Sequence, residues 1–218
     1  MTKTMIEYTL LEEGMILHIR KPIILPAQGV SILLHGWTGD ENAMNAFWDY
    51  MPENDWLLAP RAPQTANPAG YAWAQITPNM FPNYEALLPS VEQLLVVIKK
   101  FMNEQALPHL PLKLIGFSQG AAVAYMLAAL IPDQISQVIS IAGFLPEGTL
   151  NNLSENPIRS TKIAIFHGAN DKLVPVKMAT QTESDLKTLG YEVSLCVDPN
   201  TGHKLGPSCV KFLQELAR

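Results

Sequence analysis

Leu112-Lys113-Leu114-Ile115-Gly116-Phe117-Ser118-Gln119-Gly120, followed by Ala121-Ala122-Val123-Ala124-Tyr125-Met126-Leu127-Ala128-Ala129-Leu130, is the stretch on which the fold turns. Its first six residues are an apolar run of strand length, and everything after Gly120 is small, apolar and helix-forming. Strand, sharp turn and helix therefore meet at one serine. Glycines on either side of it let the two backbones approach without side-chain clashes. A serine on such a bend is pushed out at the carboxyl end of its strand. The next amide, at the helix N-terminus, faces any negative oxygen that develops beside it. This is the form of a nucleophile elbow, with Ser118 as nucleophile and the Gln119 backbone N–H as a donor to an oxyanion. The competing reading is a tight turn with a capping serine.

Outward from this stretch, short apolar runs recur at Val30 to Leu34, Trp56 to Ala59, Gln137 to Ile141, Ile163 to Phe166 and Val193 to Val197. Each suits a strand covered on both faces. Helical periodicity lies between them, most clearly over Glu85 to Gln105, where Leu88, Val91, Leu94, Leu95, Ile98, Phe101 and Met102 repeat at three- and four-residue steps. Alternation of this kind predicts a mostly parallel sheet with right-handed crossovers and helices on both faces. Met5 to Leu11 and Met15 to Arg20 flank Glu12-Glu13-Gly14 and read as an antiparallel hairpin at one edge. With no repeat or low-complexity linker, residues 1–218 are expected to form a single domain. Ligands of such sheets sit at the carboxyl ends of the strands, so each candidate below must lie there.

A serine hydroxyl needs a base, and the base needs a third group to fix its tautomer. In an α/β-hydrolase these follow in the order serine, acid, histidine. His18, His35 and His109 precede Ser118, leaving His167 and His203. His203, in the loop between the last strand and the last helix, is the better base, since His167 would need an acid beyond it. Among the acids, Asp133 lies at the wrong end of the sheet and Asp185 on a helix. Asp171 and Asp198 both follow strands, and Asp171 is preferred because Asp198 is close enough to His203 to be a turn cap.

A second oxyanion donor is expected from the loop His35-Gly36-Trp37-Thr38-Gly39-Asp40, with the Trp37 N–H beside that of Gln119. His35 reads as a structural anchor for that loop. Two aperiodic stretches, Ala62 to Tyr84 and Gly143 to Thr161, should overhang the site. There Trp73 and Phe144, with Tyr71, Met80, Phe81 and Leu145, are expected to line an apolar substrate pocket. Neither stretch is long enough for a large helical lid.

Composition sets bounds on partners. The 218 residues are 48% hydrophobic and 16% charged with a formal net charge of −5, which provides no basic footprint for nucleic acid. The polar, acidic start has no apolar leader or membrane span, so a cytoplasmic location is expected. Cys196 and Cys209 are isolated from any metal-type spacing and read as buried small hydrophobes. No metal or organic cofactor is implied, the partner is a small-molecule ester, and a homodimer is compatible with the sequence.

With these residues in place, the chain resembles the carboxylesterase, phospholipase and acyl-protein thioesterase family of small α/β-hydrolases. The likeness runs through Leu34-His35-Gly36, Pro60-Arg61-Ala62-Pro63, Trp73, Gly116-Phe117-Ser118-Gln119-Gly120-Ala121, His167-Gly168-Ala169-Asn170-Asp171 with Val174-Pro175, and Gly202-His203. It implies the α/β-hydrolase fold, a triad at Ser118, Asp171 and His203, and oxyanion donors at Trp37 and Gln119. Trp37 stands where many members have leucine, and Ala74-Gln75 follow Trp73 where the family usually has an aromatic and an aspartate. The reaction implied is hydrolysis of carboxylic esters, thioesters or lysophospholipids through an acyl-serine. The alternatives are a peptidase or dienelactone-type hydrolase, and a catalytically silent ligand-binding protein on the same fold.

Overall fold

The computed structural model describes residues 6–77, 81–155 and 160–216. Its chain begins with the expected hairpin: β1 (Glu7–Glu12) and β2 (Met15–Arg20) pair antiparallel with Glu12 opposite Met15. The two residues between them, Glu13 and Gly14, both have positive φ, at 46° and 76°. That geometry matches the right-handed twist of the flanking strands, and glycine supplies it at no steric cost.

The chain then alternates strands with helices: β3 (Gly29–Leu34), a 3-10 helix (Asn45–Tyr50), β4 (Asp55–Pro60), β5 (Gln64–Thr65), β6 (Tyr71–Ala72), α1 (Tyr84–Glu104), β7 (Leu112–Phe117) and α2 (Gln119–Leu130). It continues through β8 (Ile135–Ile141), α3 (Thr149–Glu155), β9 (Lys162–Gly168), α4 (Val176–Thr188), β10 (Glu192–Asp198) and α5 (Pro207–Leu216). Eight strands form one sheet in the order β1-β2-β4-β3-β7-β8-β9-β10. From β4 to β10 every pairing is parallel, and β2 alone runs against them, antiparallel to both β1 and β4. This is the α/β-hydrolase arrangement expected from the sequence.

Period-two alternation divides the core. Ile32, Leu34 and Leu114 point to the face covered by α1, α2 and α4, whereas Leu33 and Ile115 point to the face covered by the 3-10 helix and α5. From Gln119 to Ala128 every residue of α2 is buried, which explains why that helix shows no polar stripe. The aperiodic stretches contain only short elements among the described residues: β5 paired with β6, and the seven-residue α3. Met5 and Met80, expected in the hairpin and the pocket, lie outside the described residues. No described helix is long and apolar enough to cross a membrane.

One expectation is overturned. Cys196 and Cys209 are not separate small hydrophobes but partners in a disulfide joining β10 to α5, 13 residues apart in sequence, with Cα atoms 6.0 Å apart. Spacing alone could not show this, because the pairing depends on how α5 folds back over the edge of the sheet. Closing a loop of this size is worth about 3 kcal/mol in the chain-entropy account. Reduction, or the double replacement Cys196→Ser/Cys209→Ser, is expected to lower the unfolding free energy by about 2–3 kcal/mol. Denaturant titrations with and without a reductant measure this, and coincident midpoints would refute it.

Candidate active site

Ser118 sits at the carboxyl end of β7 with φ 53° and ψ −117°, a conformation that a non-glycine residue adopts only under constraint. The neighbouring glycines are the constraint. A Cβ on Gly120 would lie 2.1 Å from the Leu34 carbonyl oxygen, and one on Gly116 would lie 2.4 Å from the Ala121 nitrogen. Strand and helix therefore approach more closely than any side chain allows, and the serine projects from the crest. Among the described residues its hydroxyl has no hydrogen-bond partner.

Asp171 and His203 come together across 32 residues. His203 Nδ1 donates to Asp171 Oδ2 at 2.7 Å. The other carboxylate oxygen accepts the N–H groups of Leu173 and Val174, both at 2.9 Å. His167, set aside by the order of residues along the chain, proves to touch this acid. Its Nε2 lies 2.8 Å from the Val174 carbonyl oxygen and 3.4 Å from Asp171 Oδ2, in a position closed to solvent. Two imidazoles and two amides thus converge on one buried carboxylate. Phe117, next to Ser118, lays its ring against His203 with centroids 5.0 Å apart, which sets the imidazole beside the elbow.

The loop after β3 abuts the elbow as well. A Cβ on Gly36 would come within 3.2 Å of the Ser118 Cβ. Neither the Trp37 nor the Gln119 amide donates to a protein acceptor among the described residues. His35 holds this loop at both ring nitrogens: Nε2 accepts the Ala62 N–H at 3.0 Å, and Nδ1 lies 2.7 Å from the Gly36 carbonyl oxygen. The bond from Ala62 requires Nε2 to be unprotonated, so Nδ1 is the donor and the ring is neutral. Burial pushes its pKa down in the same sense.

A model of the phospholipase/carboxylesterase family matches residues 18–218. The chain belongs to that family. Its relatives include esterase YpfH of Escherichia coli, 25% identical over 192 residues that cover 86% of this chain and 81% of the relative. Acyl-protein thioesterase 1 of Candida albicans is 30% identical over 203 residues, covering 78% and 84% of the two chains. Among solved structures, the carboxylesterase from Mesorhizobium loti superposes with a TM-score of 0.79 at 17% identity, covering 96% of this chain and 97% of that one. As a family member the chain is a hydrolase of the esterase and thioesterase kind.

Two residues expected to line the pocket, Trp73 and Phe144, are buried. Trp73 is fully enclosed in the core. Its Nε1 donates to the His35 carbonyl at 2.9 Å, and its backbone N–H donates to Gln119 Oε1 at 2.8 Å. It is a pillar between the elbow and the loop after β3, because an indole that large is worth more as packing than as a rim. Phe144 is also buried and meets Phe81 at 4.7 Å between centroids, so only Phe81 of that pair reaches the surface. Tyr71 is taken up elsewhere: Arg61 donates to its hydroxyl at 3.1 Å.

The open cleft beside the elbow is built instead from a segment that the sequence reading passed over. It has a volume of about 350 Å³ and is lined by Gly36 to Gly39, Met44, Phe47, Phe117 and Leu205 among others. Met44, Phe47, Trp48 and Met51 recur at three- and four-residue steps, a helical signal in the stretch from Glu41 to Met51 that would have revealed it.

Arg61 braces this side. Its Nε and Nη2 grip Glu41 at 2.5 and 2.6 Å, a two-pronged contact beside the 3-10 helix, while Tyr71 bridges back to Gly39. Arg61→Leu is expected to cost about 2–3 kcal/mol by stranding a largely buried carboxylate, with Arg61→Lys recovering part of it. Thermal unfolding of both variants decides the matter, and a leucine variant as stable as the parent would refute it.

Asp198, the alternative acid, is a cap. It accepts the Asn200 N–H and both the N–H and hydroxyl of Ser208, and these bonds hold its carboxyl well below the usual range. The unfolded chain titrates near about 3.9. A folded pKa below that makes the contribution complete at neutral pH and lets it fade as pH falls through the acid range. Asp198→Asn is therefore expected to be less stable than the parent at pH 7, with the gap narrowing below about pH 4. Melting midpoints across pH test this; a gap independent of pH would contradict it.

Proposed function

We propose that the protein hydrolyses small to medium carboxylic esters or thioesters through an acyl-serine intermediate, with Ser118 as nucleophile, His203 as general base and Asp171 as its orienting acid. The observation that carries this reading is the 2.7 Å bond from His203 Nδ1 to the buried Asp171, which leaves Nε2 as the free nitrogen beside the elbow. In the first half-reaction Nε2 takes the Ser118 proton as Oγ bonds to the carbonyl carbon. It then returns that proton to the departing alcohol or thiol as the acyl–oxygen or acyl–sulfur bond breaks. Water repeats the sequence and frees the acid. The carbonyl oxygen, negative in each tetrahedral intermediate, is received by the N–H groups of Trp37 and Gln119, whose freedom from other acceptors supports that role. The names of the relatives, an esterase and acyl-protein thioesterases, agree with either class of substrate.

One domain carries the whole site on this reading. A cytosolic setting would have to leave the Cys196–Cys209 bond intact where disulfides are rare. A silent ligand-binding protein would have no use for a strained serine next to a paired histidine, and strain of this kind is retained where it serves chemistry.

Ser118→Ala is expected to lose p-nitrophenyl butyrate hydrolysis by at least about 10³-fold and to lose labelling by a fluorophosphonate probe. His203→Ala should fall comparably, while Asp171→Asn should retain more. Undiminished turnover in the serine variant would refute the proposal.

A further inference from the structure

The cleft of about 350 Å³ has a direction that the triad reading by itself does not supply. An ester bound at an elbow has two halves, and acid–base chemistry distinguishes them. The departing oxygen must lie where the imidazole can return its proton, so the alcohol half belongs on the histidine side of the serine. Here that side is identifiable. Phe117 packs at a tilt against His203 and also lines the cleft. Lys204 and Leu205, the two residues after His203, line it as well. Gly36, also in the lining, lies close against Phe117 and Ser118. The cleft thus opens from the place where the leaving group would receive its proton.

Its walls indicate what would fit. Met44, Phe47, Phe117 and Leu205 provide an apolar interior, and Lys204 is the only ionisable side chain among the lining residues. Lys204 is exposed and has no ion pair among the described residues. At roughly 30 Å³ per water-sized group, the volume accommodates about ten non-hydrogen atoms, which is an aromatic ring with a short substituent. A lysine at the edge of an otherwise apolar cleft favours a negative charge on that substituent, and does so at short range despite the chain's net charge of −5.

We propose that this cleft is the leaving-group site, and that it selects esters of apolar, aryl-sized alcohols bearing an anionic substituent. The inference rests on the triad reading. In the step concerned, the Ser118 Oγ–acyl carbon bond forms, the acyl carbon–alkoxy oxygen bond breaks, and the proton on His203 Nε2 passes to the alkoxy oxygen in the cleft.

Two ester series test it on the intact protein: acetates of phenol, 4-hydroxybenzoate and 2-naphthol, and phenyl esters from acetate to hexanoate. Comparing each variant with the parent cancels intrinsic reactivity. Lys204→Gln is expected to lower the ratio of kcat/KM for 4-carboxyphenyl acetate over phenyl acetate by about three- to fivefold. Met44→Trp should lower the naphthyl-to-phenyl ratio by about tenfold and leave the hexanoate-to-acetate ratio within about twofold. Leu205→Phe narrows the cleft from another lining position and should act in the same sense, which covers failure of the Met44 variant to fold. Penalties that grow along the acyl series instead would assign the cleft to the acyl group and overturn the proposal, as would a Lys204 effect equal for neutral and anionic esters. If fluorophosphonate fails to label Ser118 in the parent, the triad reading falls. If labelling and turnover persist without these patterns, only the leaving-group assignment falls.

Discussion

The whole arrangement depends on a contact in which no side chain takes part. Backbone at Gly120 passes so close to the end of β3 that a single added carbon would overlap the Leu34 carbonyl. That approach fixes the start of α2 against the neighbouring strand, forces Ser118 into its uncommon conformation, and sets the Gln119 amide beside the hydroxyl. Comparable closeness recurs at Gly116, against the Ala121 backbone, and at Gly168 at the end of β9, against the Thr201 and Gly202 carbonyls of the loop that carries His203.

Around that contact the protein places polar groups in pairs that share a support. His35 and Trp73 hold one side: the histidine grips the loop after β3 and the chain after β4, and the indole locks onto the histidine's own carbonyl. Gln119 extends the same support, because its side chain receives the amide of Trp73 while its backbone N–H stays unused. On the other side, Asp171 accepts two amides and the His203 imidazole, with the His167 ring 3.4 Å away. A carboxylate with so many donors is costly to move, so the geometry it imposes on His203 is stiff. The proposed chemistry uses one face of each pair and the fold uses the other.

Much of this was legible in the sequence, for reasons that can be named. Covered parallel strands produce apolar runs, and those at Val30, Leu112 and Ile163 fell within a residue or two of the observed elements. The elbow was legible because its steric demand admits only glycine at two fixed positions. The pairing of Asp171 with His203 was reachable through chain order combined with the rule that ligands gather at the strand ends. Side chains around the site were less legible. Large aromatics mark both cores and rims, and Trp73 and Phe144 turned out to be core. His167 was discounted because order along the chain says nothing about a second neighbour of the acid. The partnership of the two cysteines depended on the docking of α5, which only tertiary structure supplies.

That covalent link has a topological consequence for the loop between β10 and α5. Residues 196 to 209 form a closed ring that includes His203, so the backbone within it is no longer the only connection between the body of the protein and its last helix. A protease that nicked the ring would yield two fragments that still travel as one molecule, with α5 kept on the sheet.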